Sequence, residues 1–314
     1  MSDPLVCHVA ENDELLAAYR NVHEVWGGDL ALEEYLRWRL GSLQHRRARW
    51  YVGCLKRQVV TSLGCYPLEF RIAGRIVAGI AIGAVHTRPE FRRRGYAGEL
   101  MAYAEDDQLA RGAVVSLLYS DIDPDYYARM GYRLCPAWQG DIALGPGEPA
   151  AGSPSLEPIE RDDRDRLLPI LSERYDSAHA GLAISIHRDR QYWDYLLQKD
   201  PSDRFYGWPG SGEGLLGYVR LRLVDRHAFI QDVALDVAIP PEDDSFWRAV
   251  RQTAAVAGAD HIGGWLPDTP GGRRYFGLAP RRSQLPMLKS LDQRLAIGDE
   301  FLTAAGHFHE IDHV

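Results

Sequence analysis

The sequence predicts an α/β protein of two domains, each built from meandering antiparallel strands with flanking helices. Three observations carry this expectation. The chain has 314 residues, more than one ordinary α/β domain needs and suited to two of about 150 each. The segment GPGEPAAGSPSLEP is dense in glycine, proline and serine and nearly free of apolar residues, the composition of a linker. The order of elements before it recurs loosely after it. The expected division is 1–145 for the first domain, 146–157 for the linker and 158–314 for the second.

The elements follow from periodicity and turn chemistry. Asp13 to Arg20 and Leu30 to Leu43 have the apolar spacing of amphipathic helices, separated by the Gly27-Gly28 break. WYVGCL, VVTSLGCYPLEFRI and IVAGIAIGAV read as three strands joined by turns at KRQ and AGR. The third strand runs through VHTRPEFRRRGYA into GELMAYAEDDQLA, which has the period of a helix. AVVSLLYSDI is a further buried strand, and DPDYYARMGYRL a short helix closed by Gly131 and followed by a strand. After the linker come two helices, RDRLLPILSERYDS and RDRQYWDYLLQK. Three strands follow, RFYGWP, GLLGYVRLRLV and HAFIQDVALDV, then the helix SFWRAVRQTAAVAG and the strand HIGGWLP. The final thirty residues are apolar enough to be packed rather than loose.

Composition narrows the class. Apolar residues make up 46% and charged residues 25%, the balance of a soluble globular protein. The net charge of −8 argues against a nucleic-acid partner. The longest apolar run, Ile76 to Val85, is far short of a membrane span, and the start MSDPLVCHVAEND has no signal-peptide pattern. A cytoplasmic protein with no membrane association is expected. Cys7, Cys54, Cys65 and Cys135 show no CxxC or Cys/His spacing, so neither a zinc site nor a disulfide framework is indicated.

Ile76 to Ala97 is the stretch that carries chemistry. A strand that ends in a basic turn and opens a helix presents unpaired backbone N–H groups and the positive end of the helix dipole, which suit a polyanion. Arg92, Arg93 and Arg94 add charge and forked donors for phosphate oxygens. Gly95 and Ala97 let a ligand approach the backbone. Arg92 to Ala97 fits RxxGxA in the strand-to-helix context that this mechanism requires. The stretch resembles the pyrophosphate-binding motif of the GNAT superfamily of acyl-CoA-dependent N-acyltransferases.

The resemblance implies two GNAT-like domains with mixed, mostly antiparallel sheets, and acetyl-CoA as the acyl donor. It continues in SLLYSDIDPDYYARMGYRL, where Tyr127 falls on the tyrosine that protonates the departing thiolate of coenzyme A. A phenol holds its proton at neutral pH yet yields it to a stronger developing base. By the same resemblance, the backbone of Val85, His86 and Thr87 pairs with the pantetheine arm and polarises the thioester carbonyl. Arg92, Arg93, Arg94, Gly95, Tyr96, Ala97 and Gly98 hold the pyrophosphate, and Asp121 and Ile122 line the coenzyme from the next strand.

The implied reaction is acetyl transfer to a small-molecule or lysine-type primary amine by direct attack in a ternary complex, with no metal. A non-catalytic acyl-CoA-binding or sensing protein is the alternative. The whole chain looks like tandem GNAT proteins, including the enhanced intracellular survival type, with an active first unit and a degenerate second one. Where the first half has RPEFRRRGYA, the second has AIPPEDDS, whose two prolines and three acids make no phosphate cradle. The sequence leaves the base open among Asp29, Glu33, Glu34, Glu69, Asp121 and the carboxylate of Val314. Trp26, Tyr35, Trp38 and Trp50 are candidates to line a pocket for a cationic amine, and serve a helix-face core equally well.

Overall fold

The structure is a computed structural model that describes residues 3–145, 156–210, 214–240 and 244–314, with the backbone alone at 161–165 and 167. The expected linker lies almost wholly outside the described residues, as does the centre of AIPPEDDS. Strand β1 (Val6–Val9) is followed by α1 (Asn12–Trp26), α2 (Leu32–Gly41) and α3 (Leu43–Arg47). A capping box starts α1, with the Glu11 N–H donating to the Glu14 carboxylate at 3.0 Å. The antiparallel meander is β2 (Arg49–Leu55), β3 (Gln58–Ile72) and β4 (Arg75–Thr87). Both of its hairpin turns hold two residues at positive φ, Lys56 and Arg57 at 49° and 66°, Ala73 and Gly74 at 46° and 76°. This primed geometry matches the twist of the flanking strands.

The first half continues with α4 (Tyr96–Ala110), β5 (Val115–Ser120), α5 (Asp125–Ala128), β6 (Arg133–Leu134) and β7 (Trp138–Ala143). The second begins with β8 (Glu157–Ile159), α6 (Arg161–His179), β9 (Ile184–His187) and α7 (Arg190–Lys199). Next come β10 (Arg204–Pro209), β11 (Leu215–Val224), β12 (His227–Leu235), α8 (Ser245–Val256) and β13 (His261–Trp265). The chain closes with α9 (Pro270–Phe276), β14 (Ala279–Pro280), β15 (Leu285–Ser290), α10 (Asp299–Ala305) and a 3₁₀ turn at Glu310–Asp312.

Two mixed sheets result, and each repeats the other. The first has the order β1-β2-β3-β4-β5-β15-β6, the second β14-β7-β13-β12-β11-β10-β8. In each, one parallel pair is joined by a crossover helix: β4 and β5 through α4, β12 and β13 through α8. The strand beyond each parallel pair comes from the other side of the linker. β15 pairs with β5, and β7 pairs with β13. Strand β9 also crosses over, to the far end of β3. Each sheet is therefore completed by the other half of the chain, and residues 146–157 divide the chain by order rather than into two closed sheets. A shared core follows, in which Phe70 and Leu117 of the first sheet pack in one cluster with Trp193, Tyr218, Phe308 and Ile311. The C-terminal segment is packed as its composition predicts.

Candidate active site

Strand β4 is the element that opens the site. It pairs with β5 only from Gly79 opposite Val115 to Ile82 opposite Leu118, although both strands run further. On its other edge β4 stays with β3 as far as Thr87 opposite Thr61. Between the pairs Gly64–Gly83 and Ser62–His86, β3 contributes Leu63 alone and β4 contributes both Ala84 and Val85. That two-for-one count is a β-bulge, with Ala84 at φ 51°, and a bulge bends its strand. Beyond Ile82 the two parallel strands part, leaving main chain on both sides of a gap.

The basic turn closes one end of that gap. A 3₁₀ turn at Pro89–Phe91 leads through Arg93, at φ 63°, to Gly95, at φ 83°, which caps the start of α4. A side chain at Gly95 would meet no atom within 4 Å. The position needs glycine for its backbone conformation and leaves open space in front of the helix N-terminus. The Arg92 Nε donates to the Thr87 carbonyl at 2.9 Å, and Arg94 donates to the Glu90 carbonyl at 3.2 Å while its guanidinium lies over the Phe91 ring.

These elements enclose a cleft of about 380 Å³. Val85, Thr87, Arg92, Arg93, Arg94, Gly95, Tyr96, Ala97, Ile122 and Tyr127 line it together, from β4, the basic turn, α4, the loop after β5 and α5. Tyr127 stands on α5, buried, with its ring 5.0 Å from that of Tyr126. Burial, then the neighbouring Tyr126 and Asp121, push its hydroxyl up to about 12. His86, Gly98 and Asp121 are not among the residues that line the cleft. His86 is buried on the alternate face of β4, and burial, reinforced by Arg92, holds its imidazole below the usual range. Gly98 has Met130 at 3.4 Å from its would-be side chain, so it serves helix packing, and Asp121 is exposed after the end of β5. Phe91 and Tyr126 also line the cleft, and both sit inside the quoted motifs.

A family model for the acetyltransferase (GNAT) domain matches residues 7–135. Residues 7–135 are a GNAT domain. The whole fold is similar to a "probable N-acyltransferase" of Enterococcus faecalis, at 14% identity and TM-score 0.72 over 96% of this chain and 74% of that one. It is also similar to a GCN5-related N-acetyltransferase of Anabaena variabilis, with 17% identity and TM-score 0.67 over 92% and 73% of the two chains. Eis1 of Mycobacterium abscessus shares 18% identity and TM-score 0.59 over 92% and 74%. No curated protein sequence matches the chain.

A second cavity of about 490 Å³ adjoins the GNAT cleft across the bulge, with Ala84 in its lining where the cleft has Val85. Trp26 and Trp38 line it as candidates from the sequence; Tyr35 and Trp50 do not. Those two are core, and with Tyr19 and Trp38 they surround the Arg39 guanidinium at 5.1–5.8 Å from their ring centres. The cage suited to an amine's cation holds a cation of the protein. Arg39 and Lys199, which belong to no motif, also line this cavity.

The candidate bases are scattered. Asp29, Glu33 and Glu34 are exposed, and Glu34 accepts from the Ala31 N–H at the start of α2. Glu69 lies opposite Ala78, five residues along β3 from the Gly64–Gly83 pair, which is about 17 Å at the rise of a strand. Val314 lies against the splay, with its Cγ2 and O at 3.3 and 3.4 Å from a would-be side chain on Gly83. Elsewhere, His8, Glu14 and Cys54 form a hydrogen-bonded trio beside a different cavity, with His8 to Glu14 at 2.9 Å.

Proposed function

We propose that the protein is an N-acetyltransferase that moves the acetyl group of acetyl-CoA to a primary amine by direct attack in a ternary complex. The single observation that supports this reading most is the shared cleft, in which Tyr127 and the arginine turn meet at the gap between β4 and β5. The cleft fits the coenzyme by its donor set: three arginines, a helix N-terminus behind a left-handed glycine, and free strand edge at Val85 to Thr87.

In this reading the pyrophosphate rests on the turn at Arg92 to Ala97 and the pantetheine arm adds to β4 as a strand would. The amine lone pair attacks the thioester carbon, and the bulged backbone at Ala84 and Val85 supplies N–H groups to the developing oxyanion. The C–N bond forms and the C–S bond breaks as Tyr127 gives its proton to the departing sulfur, while the proton shed by the attacking nitrogen passes to water and Tyr127 is reprotonated from water. Burial keeps Tyr127 protonated across the neutral range, the state this step requires. The second half of the chain completes the first sheet and walls the neighbouring cavity through Tyr195 and Lys199 of α7 and Asp200 at its end. The experiment is release of free thiol from acetyl-CoA across a panel of primary amines. Release with at least one amine is expected; tight coenzyme binding with no release for any of them points instead to an acyl-CoA sensor.

A further inference from the structure

The cavity beside the bulge says more about the amine. Arg39 is 4% exposed, and its Nε donates to the Tyr35 hydroxyl at 2.7 Å. Four aromatic rings surround it, yet no carboxylate of a described residue comes within ion-pair distance. The two arginines sealed still more completely are both paired, Arg188 with Asp232 and Asp312, and Arg220 with Asp203. A buried cation is costly unless an anion meets it. Ring faces and the phenols of Tyr35 and Tyr66 offset part of that cost, and Arg39 also belongs to the cavity wall.

The wall holds a second cation. Lys199 lines the cavity and donates to the carbonyls of Ile311 and His313 at 2.8 and 2.5 Å, two neutral partners. Asp200 is the one acidic side chain in the lining and is already ion-paired with Arg222, while the Val314 carboxylate, which also belongs to the lining, is not within ion-pair distance of Arg39. His45 and His313, also in the lining, are held neutral first by burial and then by Arg39, Lys199 and Arg281. A polycationic amine meets repulsion here, whereas a carboxylate meets a planar fork of donors.

We propose that the acceptor is an amino acid or a comparably small amine bearing a carboxylate, with Arg39 receiving that carboxylate and the amine directed at the bulge. About 490 Å³ holds a ligand of that size. The aromatic rings of Trp26, Trp38 and Tyr66 in the lining favour an aromatic or apolar side chain. This rests on the reading of the protein as an N-acetyltransferase, which places the acetyl carbon beside Ala84 and Val85.

The test uses matched pairs that differ only by the carboxylate: phenylalanine and phenethylamine, tyrosine and tyramine, tryptophan and tryptamine, with spermidine and kanamycin as polycations. Binding in the presence of coenzyme A is followed by calorimetry, and thiol release from acetyl-CoA gives kcat/KM. At least one amino acid is expected to bind and react about 100-fold better than its partner, and the polycations to do neither. Arg39→Gln is expected to bring that ratio close to one, and Arg39→Lys to give an intermediate ratio; a merely structural role for Arg39 lowers both members of a pair equally. Equal or better use of the decarboxylated amines or polycations by the unaltered protein overturns the proposal and leaves the acetyltransferase reading standing. Selective binding of amino acids without thiol release has the opposite meaning, and binding of none of them overturns it as well.

Discussion

The Arg188 guanidinium donates to the Asp312 carboxylate at 2.7 Å with both side chains sealed from solvent, and its other arm holds Asp232. Tyr192 also donates to Asp312, at 3.1 Å. The contact ties the end of the chain to the second sheet, and two residues later Val314 reaches Gly83 at the splay. Removing the arginine strands two buried carboxylates. Arg188→Gln is expected to lower stability by roughly 3–5 kcal/mol, read by chemical denaturation. Loss of under about 1 kcal/mol, as for an exposed pair, contradicts this account.

Tyr127→Phe is expected to lower kcat by about 10²–10⁴, the range for a lost general acid, with coenzyme affinity nearly unchanged. The hydroxyl is pushed up to about 12, so its loss of a proton produces no fall in rate below about pH 10. Stopped-flow or steady-state rates across pH 6–10 check both points. A variant as fast as the original removes Tyr127 from the reaction.

Gly95→Ala introduces a side chain at φ 83° into open space. The left-handed conformation costs a non-glycine residue about 1–2 kcal/mol, so a modest fall in melting temperature is expected, together with weaker coenzyme binding. Equilibrium binding of coenzyme A measures the second effect. Unchanged affinity places the phosphates elsewhere.

Stability depends on pH through four histidines, three of them buried and His313 partly so. His45, His179 and His313 are held down to about 3 and His309 to about 4, in every case chiefly by burial. Their unfolded forms take a proton near pH 6.5. The unfolded chain therefore binds more protons between those values, and stability falls as pH drops from about 6.5 toward 4. Each histidine contributes up to about 1.4 kcal/mol per pH unit. Melting temperatures measured from pH 7.5 to 4.5 are expected to decline below 6.5, and a flat profile contradicts the burial of these rings.

Much of the GNAT cleft was legible because its parts are local. The strand, the arginine turn and the α4 N-terminus are contiguous, and the tyrosine stands on the next strand–helix unit, so spacing and turn chemistry reveal them. The exchange of β7 and β15 was not legible, since a two-sided buried strand such as LPMLKS carries no mark of which sheet it joins. Strand β9 was missed for the same reason. The aromatic cage shows the limit most clearly. Tyr35 and Trp50 have the composition of a cation site, and only the packing of α2 on α1 and β2 puts Arg39 inside it. Arg39 itself reads in the sequence as one more charged residue of a helix.

The central claim, one acetyl-CoA site per chain at the β4–β5 gap, is tested most directly by native mass spectrometry of the protein with acetyl-CoA. One coenzyme per chain is the predicted result, with retention abolished by Gly95→Glu, whose side chain enters the space in front of α4. Two coenzymes per chain, or equal retention by Gly95→Glu, contradicts the claim.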